Sequence, residues 1–133
     1  MGMYTELIFG AGLKKDTPKK VIKNLKLMIE ADWEDLQKAP KEIKSFSHIF
    51  RISSYYFGVN DPIRKIWFDK ISENWRVSTR SNVKNYGSEI EQFLEWIKPF
   101  IEQGSGEREF YAIVIYEEDI EPTIYYLEEG KYA

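Results

Sequence analysis

The stretch that decides the fold is WRVSTR, residues 75–80, in which two kinds of side chain alternate. In an extended chain Trp75, Val77 and Thr79 fall on one side, and the polar residues between them fall on the other. A period of two is typical of a strand with one buried face and one wet face. The stretch therefore predicts a sheet that helices cover on one side.

Amphipathic helix patterns precede and follow this strand. In the first, Thr17 and Pro18 indicate an N-cap followed by a proline at the first helical position. Apolar residues then recur at helical spacing, at Val21, Ile22, Leu25, Met28 and Ile29. In the second, Ser88 and Glu91 have the spacing of a capping box, and Pro99 is expected to kink or shorten the helix. Its apolar positions are Ile90, Phe93, Leu94, Ile97 and Ile101.

Four other segments have the composition of strands. They are residues 5–9, 49–57, 110–116 and 123–127. Residues 64–71 fit either a strand extension or a loop, and residues 32–47 carry no clear pattern. The order β-α-β-β-α-β-β predicts an α+β fold, an antiparallel sheet with two helices on one face. Right-handed crossovers then favour a ferredoxin-like β-α-β-β-α-β plan with an extra C-terminal strand beside the fourth.

Length and composition limit the possible functions. With 133 residues we expect a single domain over residues 1–133, and 43% hydrophobic residues are enough for a core. The absence of Cys excludes thiolate metal sites and Cys nucleophiles. His48 is the only histidine, which leaves a catalytic triad or a zinc site without support. We therefore expect no catalytic residue, no metal and no cofactor.

Charge and hydropathy bear on the partners. The net charge of −3 makes nucleic-acid binding an unfavourable hypothesis, because such surfaces are normally basic. No apolar run approaches the roughly 20 residues that a spanning helix needs, and no secretory signal is visible at the start. We expect no membrane association and a cytoplasmic location.

One junction between a strand and a helix concentrates hydrogen-bond donors and positive charge. Candidate binding residues there are Arg76, Ser78, Arg80, Asn82, Lys84 and Tyr86. Arginine binds phosphate or carboxylate through a bidentate fork, and a nearby helix N-terminus adds to anion affinity. The alternative is that these residues form the wet face of a strand followed by turn and cap residues. The segment GAG, residues 10–12, similarly fits either a weak anion-binding signal or an exit turn from the first strand.

Tyrosines and isoleucines on the last strands suggest an interface. Candidate interface residues are Tyr111, Ile113, Ile115, Tyr125 and Tyr126. If Tyr111, Ile113 and Ile115 point away from the helices, they leave an apolar sheet face that a homodimer or another protein could cover. Tyr55 and Tyr56 lie on another predicted strand. The alternative is ordinary β-propensity, with these side chains on a half-buried sheet.

Several segments resemble one family of small uncharacterised proteins found in phages, prophages and bacteria. They are YTELIFGA (4–11), LKKDTP (13–18), SSYYFG (53–58), STRSNVKNY (78–86), EIE (89–91), FLEWIKP (93–99), YEE (116–118) and EPTIYYL (121–127). The resemblance implies a setting in a bacterial or infected host cell and no activity. The sequence thus favours a non-enzymatic accessory or interaction protein of phage type. A small-anion or nucleotide-phosphate binding domain at residues 76–86 is the alternative.

Overall fold

The computed structural model describes residues 4–53, 61–103 and 109–127. Its elements in chain order are β1 (Thr5–Gly12), α1 (Lys19–Glu30), α2 (Trp33–Leu36), α3 (Lys41–Lys44), β2 (Ile63–Asp69), β3 (Asn74–Val83), α4 (Glu89–Ile97), a 3-10 turn (Lys98–Phe100), β4 (Phe110–Tyr116) and β5 (Thr123–Tyr126). The α+β class predicted from the sequence is confirmed.

The five strands form one antiparallel sheet in the order β2-β3-β1-β4-β5. The central strand β1 pairs along its whole length with β3, from Thr5 opposite Val83 to Gly12 opposite Arg76. On its other edge β1 pairs with β4, and β5 adds to β4 as the outer strand of a hairpin. The predicted antiparallel sheet is therefore present, with the last strand beside the fourth.

Both long helices pack on the same face of the sheet. From α1, Lys26 lies 4.3 Å above the ring of Trp75, and Arg64 of β2 donates to the carbonyl of Ile29. From α4, the ring of Phe93 meets the ring of Phe9 edge-on at 5.0 Å. The residues on this face of β3 are those of the predicted apolar side, and Val77 and Thr79 are each 2% exposed. The buried face that the alternation in WRVSTR predicted is therefore confirmed.

Phe93 is the centre of an aromatic cluster that joins the helices to the sheet. It is fully buried and contacts the rings of Phe9, Phe46, Phe50 and Trp96. Two of these rings come from the turns after α3: Phe46 lies in the stretch without a clear pattern, and Phe50 lies in the segment predicted as a strand. The segment of α2 and α3 therefore supplies core side chains rather than a separate layer.

The second strand is not where the sequence placed it. Residues 49–53 form a turn and an isolated bridge in which Asn82 N donates to the carbonyl of Ile52 at 3.1 Å, and residues 54–57, with Tyr55 and Tyr56, lie outside the described residues. The strand is instead Ile63–Asp69, the segment that fitted either a strand or a loop. Residues 49–53 read as strand because they are apolar, but Ile49 and Phe50 are fully buried beneath the sheet in the helical layer.

The predicted start of α1 is displaced by one residue. The helix begins at Lys19 with Pro18 as its flanking residue, and no side chain caps it. Thr17 Oγ1 donates to the carbonyl of Lys14 at 2.6 Å, so this hydroxyl closes the preceding turn instead.

Candidate functional site

The sheet face opposite the helices carries a row of side chains in which four of the five strands contribute an isoleucine. The register places five residues side by side: Ile63, Arg80, Ile8, Ile113 and Ile124. Directly opposite residues in a sheet point to the same face. We call the four apolar members, Ile63, Ile8, Ile113 and Ile124, the isoleucine row. Its two ends, Ile63 and Ile124, are 48% and 37% exposed, so water reaches apolar side chains on this open face.

The predicted interface residues are divided between the two faces. Ile113 and Ile115 lie on the open face and are half-buried, and Tyr126 joins them opposite the exposed Phe110. Tyr111 and Tyr125 lie on the face that the helices cover. A bulge between Phe110 and Ala112 turns Tyr111 into the core, where it is 5% exposed and its ring lies 6.4 Å from Phe9 and 6.2 Å from Tyr125. The bulge breaks the alternation on which the prediction for Tyr111 depended.

Four of the six predicted binding residues lie on one face of the sheet, but the six do not form one site. Alternation places Arg76, Ser78, Arg80 and Asn82 on the open face of β3. Lys84 follows the strand end, eight residues from Arg76, which is roughly 26 Å at the rise of a strand. One small anion therefore cannot contact both ends of this set. Tyr86 is 74% exposed.

Two of these residues are committed to structural roles. Arg80 Nε donates to Glu6 Oε2 at 2.6 Å, and Glu6 is 1% exposed, so the pair is a largely buried ion pair within the open face. Asn82 is also 1% exposed, and its side-chain amide has no hydrogen-bond partner among the described residues. Asn82 is therefore not presented to solvent, and the Arg80 side chain, 32% exposed, is already engaged by Glu6.

The N-terminus of α4 is already occupied by its own side chains. Asn85 Oδ1 accepts from Ile90 N at 2.9 Å, and Asn85 Nδ2 donates to Glu91 at 2.9 Å. Glu89 and Glu91 place negative charge in the first turn. The predicted capping box is therefore wrong, since Ser88 makes no capping bond and adopts the left-handed region with φ of 58°. An anion at this helix end would compete with two carboxylates and an amide.

Replacing Asn85 with glycine is expected to lower the free energy of unfolding by about 1 kcal/mol, the usual net contribution of an intramolecular hydrogen bond. Asn85 has φ of 57°, so glycine keeps the backbone conformation and removes only the two side-chain bonds. Urea denaturation followed by circular dichroism measures the change. Ser88→Ala is the matched control and should leave the midpoint in place; an equal loss in both variants would contradict the cap assigned to Asn85.

A cleft of about 700 Å³ opens on the open face where β1 ends. Its floor is formed by Gly10 and Gly12, which present no side chain to this face. A Cβ at Gly12 would lie 2.9 Å from Asn74 Nδ2 and 3.6 Å from Arg76 Nη1, so glycine is needed for these two side chains to lie across β1. The expected exit turn at residues 10–12 is therefore part of strand β1. We call this pocket the glycine-floored cleft.

One wall of the glycine-floored cleft is a closed polar network around Arg76. Arg76 Nε donates to Asp69 Oδ2 at 3.0 Å and Nη2 donates to Ser72 Oγ at 3.0 Å. Ser72 Oγ in turn donates to Asp69 Oδ2 at 2.6 Å. The hydrogen bonds from Ser72 and Ile71 N, together with Arg76, hold the pKa of Asp69 below its ordinary value. Asp69 therefore stays ionised and offsets the charge of Arg76.

The opposite wall joins Asn74 to Glu102. Asn74 is 2% exposed, and its Nδ2 donates to Glu102 Oε2 at 2.8 Å and to the carbonyl of Leu13 at 3.3 Å. Its Oδ1 is buried and has no hydrogen-bond partner among the described residues. Phe110, 59% exposed, and Tyr111 complete the lining with Glu109.

Sequence patterns pointed to Arg76 and to residues 10–12 but not to their combination. No sequence pattern indicated Asn74 or Glu102 as site residues. The two side chains come together only because β1 pairs with β3 and the chain returns after α4. Comparison of the chain with protein-family models, with curated proteins and with solved structures gave no match. Among the helices of residues 4–53, 61–103 and 109–127, none is long and apolar enough to cross a bilayer.

Proposed function

We propose that this chain is a non-enzymatic interaction protein that forms a homodimer through its open sheet face. The observation that carries the proposal is the isoleucine row, which has members on four of the five strands, with Arg80 at the β3 position, on the side that the helices leave uncovered. Exposed apolar side chains in a contiguous arrangement mark partner surfaces more often than isolated ones do.

The arrangement of the isoleucine row favours a second copy as the partner. Ile8 lies on the central strand, with two strands on each side. A two-fold axis along β1 would place Ile8 over its own counterpart and Ile63 of each copy over Ile124 of the other. Isologous interfaces require such self-complementarity. Two sheets stacked face to face at about 10 Å would then enclose both rows between them.

The proposal predicts a particle of twice the 15.8 kDa chain mass by size exclusion with light scattering. Ile63→Lys should weaken association at least tenfold, because a two-fold interface receives the new charge twice. Ile71→Lys is the matched control: this isoleucine is 96% exposed in the β2–β3 turn and should leave the dimer intact. A wild-type monomer at every concentration, or equal loss in both variants, would refute the homodimer.

We also propose a ferredoxin-like plan for β1, α1, β2, β3, α4 and β4, extended by β5. The order β2-β3-β1-β4 and the antiparallel pairing support it, whereas the short helices α2 and α3 between α1 and β2 depart from the plan. An accessory role of phage or prophage type and a cytoplasmic location are supported by the sequence resemblance alone. Binding of a small anion along residues 76–86 is less favoured, because these residues are spread along β3 and the α4 end is capped.

A further inference from the structure

We propose that a pocket between the start of α1 and the β2–β3 turn binds a phosphate monoester that carries an aromatic ring. Its volume, about 390 Å³, lies within the usual range of small-ligand sites, roughly 300–1,000 Å³. We call it the lysine pocket. Three lysines, one carboxylate and two aromatic rings in its lining bear on the ligand: Lys14, Lys15, Lys19, Glu73, Phe68 and Trp75. The two rings lie on the helix-covered face of the sheet, so the lysine pocket and the homodimer can fail independently.

The first argument is an aromatic wall that the helical layer leaves partly uncovered. Phe68 and Trp75 lie opposite each other in the β2–β3 register, and their rings meet edge-on at 5.5 Å. Two residues earlier on the same face of β2, Ile66 is 7% exposed, whereas Phe68 is 46% exposed. Lys26 already lies 4.3 Å above the ring of Trp75. The exposed surface of Phe68 is therefore available to a ligand ring, which would remove apolar area from water by packing on it.

The second argument is positive charge without an internal partner. Lys14, Lys15 and Lys19 are exposed, and no ion pair in the described part of the chain involves them. The lining sets one carboxylate, Glu73, against these three charges, which leaves an excess of two positive charges. Asp16, in the same turn, is exposed and lies outside the lining. Each lysine ammonium ends a flexible four-carbon stem, so the three can turn toward an anion placed among them.

The third argument is that a phosphate monoester on an aromatic ring fits both features at once. Such a phosphate carries about −1.5 to −2 charges at pH 7, close to the excess of two, whereas a carboxylate offsets only one charge. The first turn of α1 has no acidic residue and no side-chain cap, so its dipole adds to the same field. An uncharged aromatic ligand would leave the lysines without a counter-charge, and inorganic phosphate would leave Phe68 exposed.

Titration of the ¹⁵N-labelled chain by NMR tests the proposal with phenyl phosphate and adenosine 5′-monophosphate. Saturable shifts centred on Lys15, Lys19, Phe68 and Trp75 are expected. Tighter binding of the nucleotide would identify a nucleotide as the ligand, and equal or tighter binding of phenyl phosphate a simpler aryl phosphate. Adenosine and inorganic phosphate each lack one half of the ligand and should bind at least about tenfold more weakly. The proposal is overturned if neither probe saturates, or if adenosine or inorganic phosphate binds as tightly as the better probe.

Charge variants separate the lysine pocket from general attraction between opposite charges. Lys19→Gln should weaken binding of the better probe about fivefold, the upper range for an exposed charge pair. Lys44→Gln removes the same charge from α3, outside the pocket, and should leave affinity unchanged. Glu73→Gln removes the opposing charge and should strengthen binding about threefold. Equal losses in the two lysine variants would count against the lysine pocket.

The aromatic wall is tested by a variant of its own. Phe68→Ala should weaken binding of the better probe at least about fivefold and leave the affinity for inorganic phosphate unchanged, because only the ring contact is lost. Phe110→Ala, on β4 and 59% exposed, deletes the same atoms elsewhere and is the matched control. Unchanged affinity in Phe68→Ala would contradict the aromatic half of the proposal. If that variant does not fold, Lys19→Gln and Glu73→Gln still decide.

Discussion

Replacing Phe93 with alanine is expected to lower the free energy of unfolding by about 4 kcal/mol, at the high end for a single core substitution. Phe93 is fully buried at the centre of the aromatic cluster and contacts four other rings. These rings come from β1, from the turns after α3 and from α4 itself. Because they belong to separate elements, they cannot close together over the cavity.

Urea denaturation in the Ile63→Lys background measures this loss without a contribution from association. Phe110→Ala is the matched control, since it deletes the same atoms from a side chain that is 59% exposed. It should cost less than about 1 kcal/mol. A loss below about 2 kcal/mol for Phe93→Ala would mean that the helical layer rearranges around the missing ring, and the aromatic cluster would then not be the centre of the core.

The apolar pattern of α4 identified Phe93 as a core residue, but not the rings that surround it. Phe46 and Phe50 come from short helices and turns whose few residues cannot establish a 3.6-residue period. Residues 49–53 appear strand-like for the same reason, since a short apolar run suits a buried turn equally well. Periodicity thus located the elements that are long enough to repeat, namely α1, α4 and β3.

The open face was predicted only in part, because its composition depends on register. Alternation in β3 gave the polar face of Arg76 and Arg80 directly. The isoleucine row requires knowing that β1 lies between β3 and β4 with Ile8 opposite both Arg80 and Ile113. No local pattern contains that information. For Tyr111 the local alternation predicted the wrong face. A bulge of one residue places its side chain in the core instead of on the open face.

The ion pair of Glu6 and Arg80 gives the second large effect. Arg80→Met is expected to lower the free energy of unfolding by about 3 kcal/mol, because it leaves the Glu6 carboxylate, 1% exposed, without the guanidinium 2.6 Å away. Removing both charges should cost less than the sum of the single changes. The coupling from the cycle of Glu6→Gln and Arg80→Met is expected at about 1–3 kcal/mol.

Arg76→Met is the control that compares a more exposed ion pair with the buried one, since Arg76 lies on the same face of the same strand as Arg80. Its ion pair with Asp69 spans 3.0 Å, but the two side chains are 41% and 26% exposed. Solvent screening should therefore limit its loss to below about 1 kcal/mol, and salt should reduce that loss further. The effect of Arg80→Met should persist in high salt, because water and ions do not reach Glu6. Equal, salt-sensitive losses in the two variants would show that Glu6 is accessible in solution, and the open face would then be a solvated surface around Ile8 instead of an apolar one.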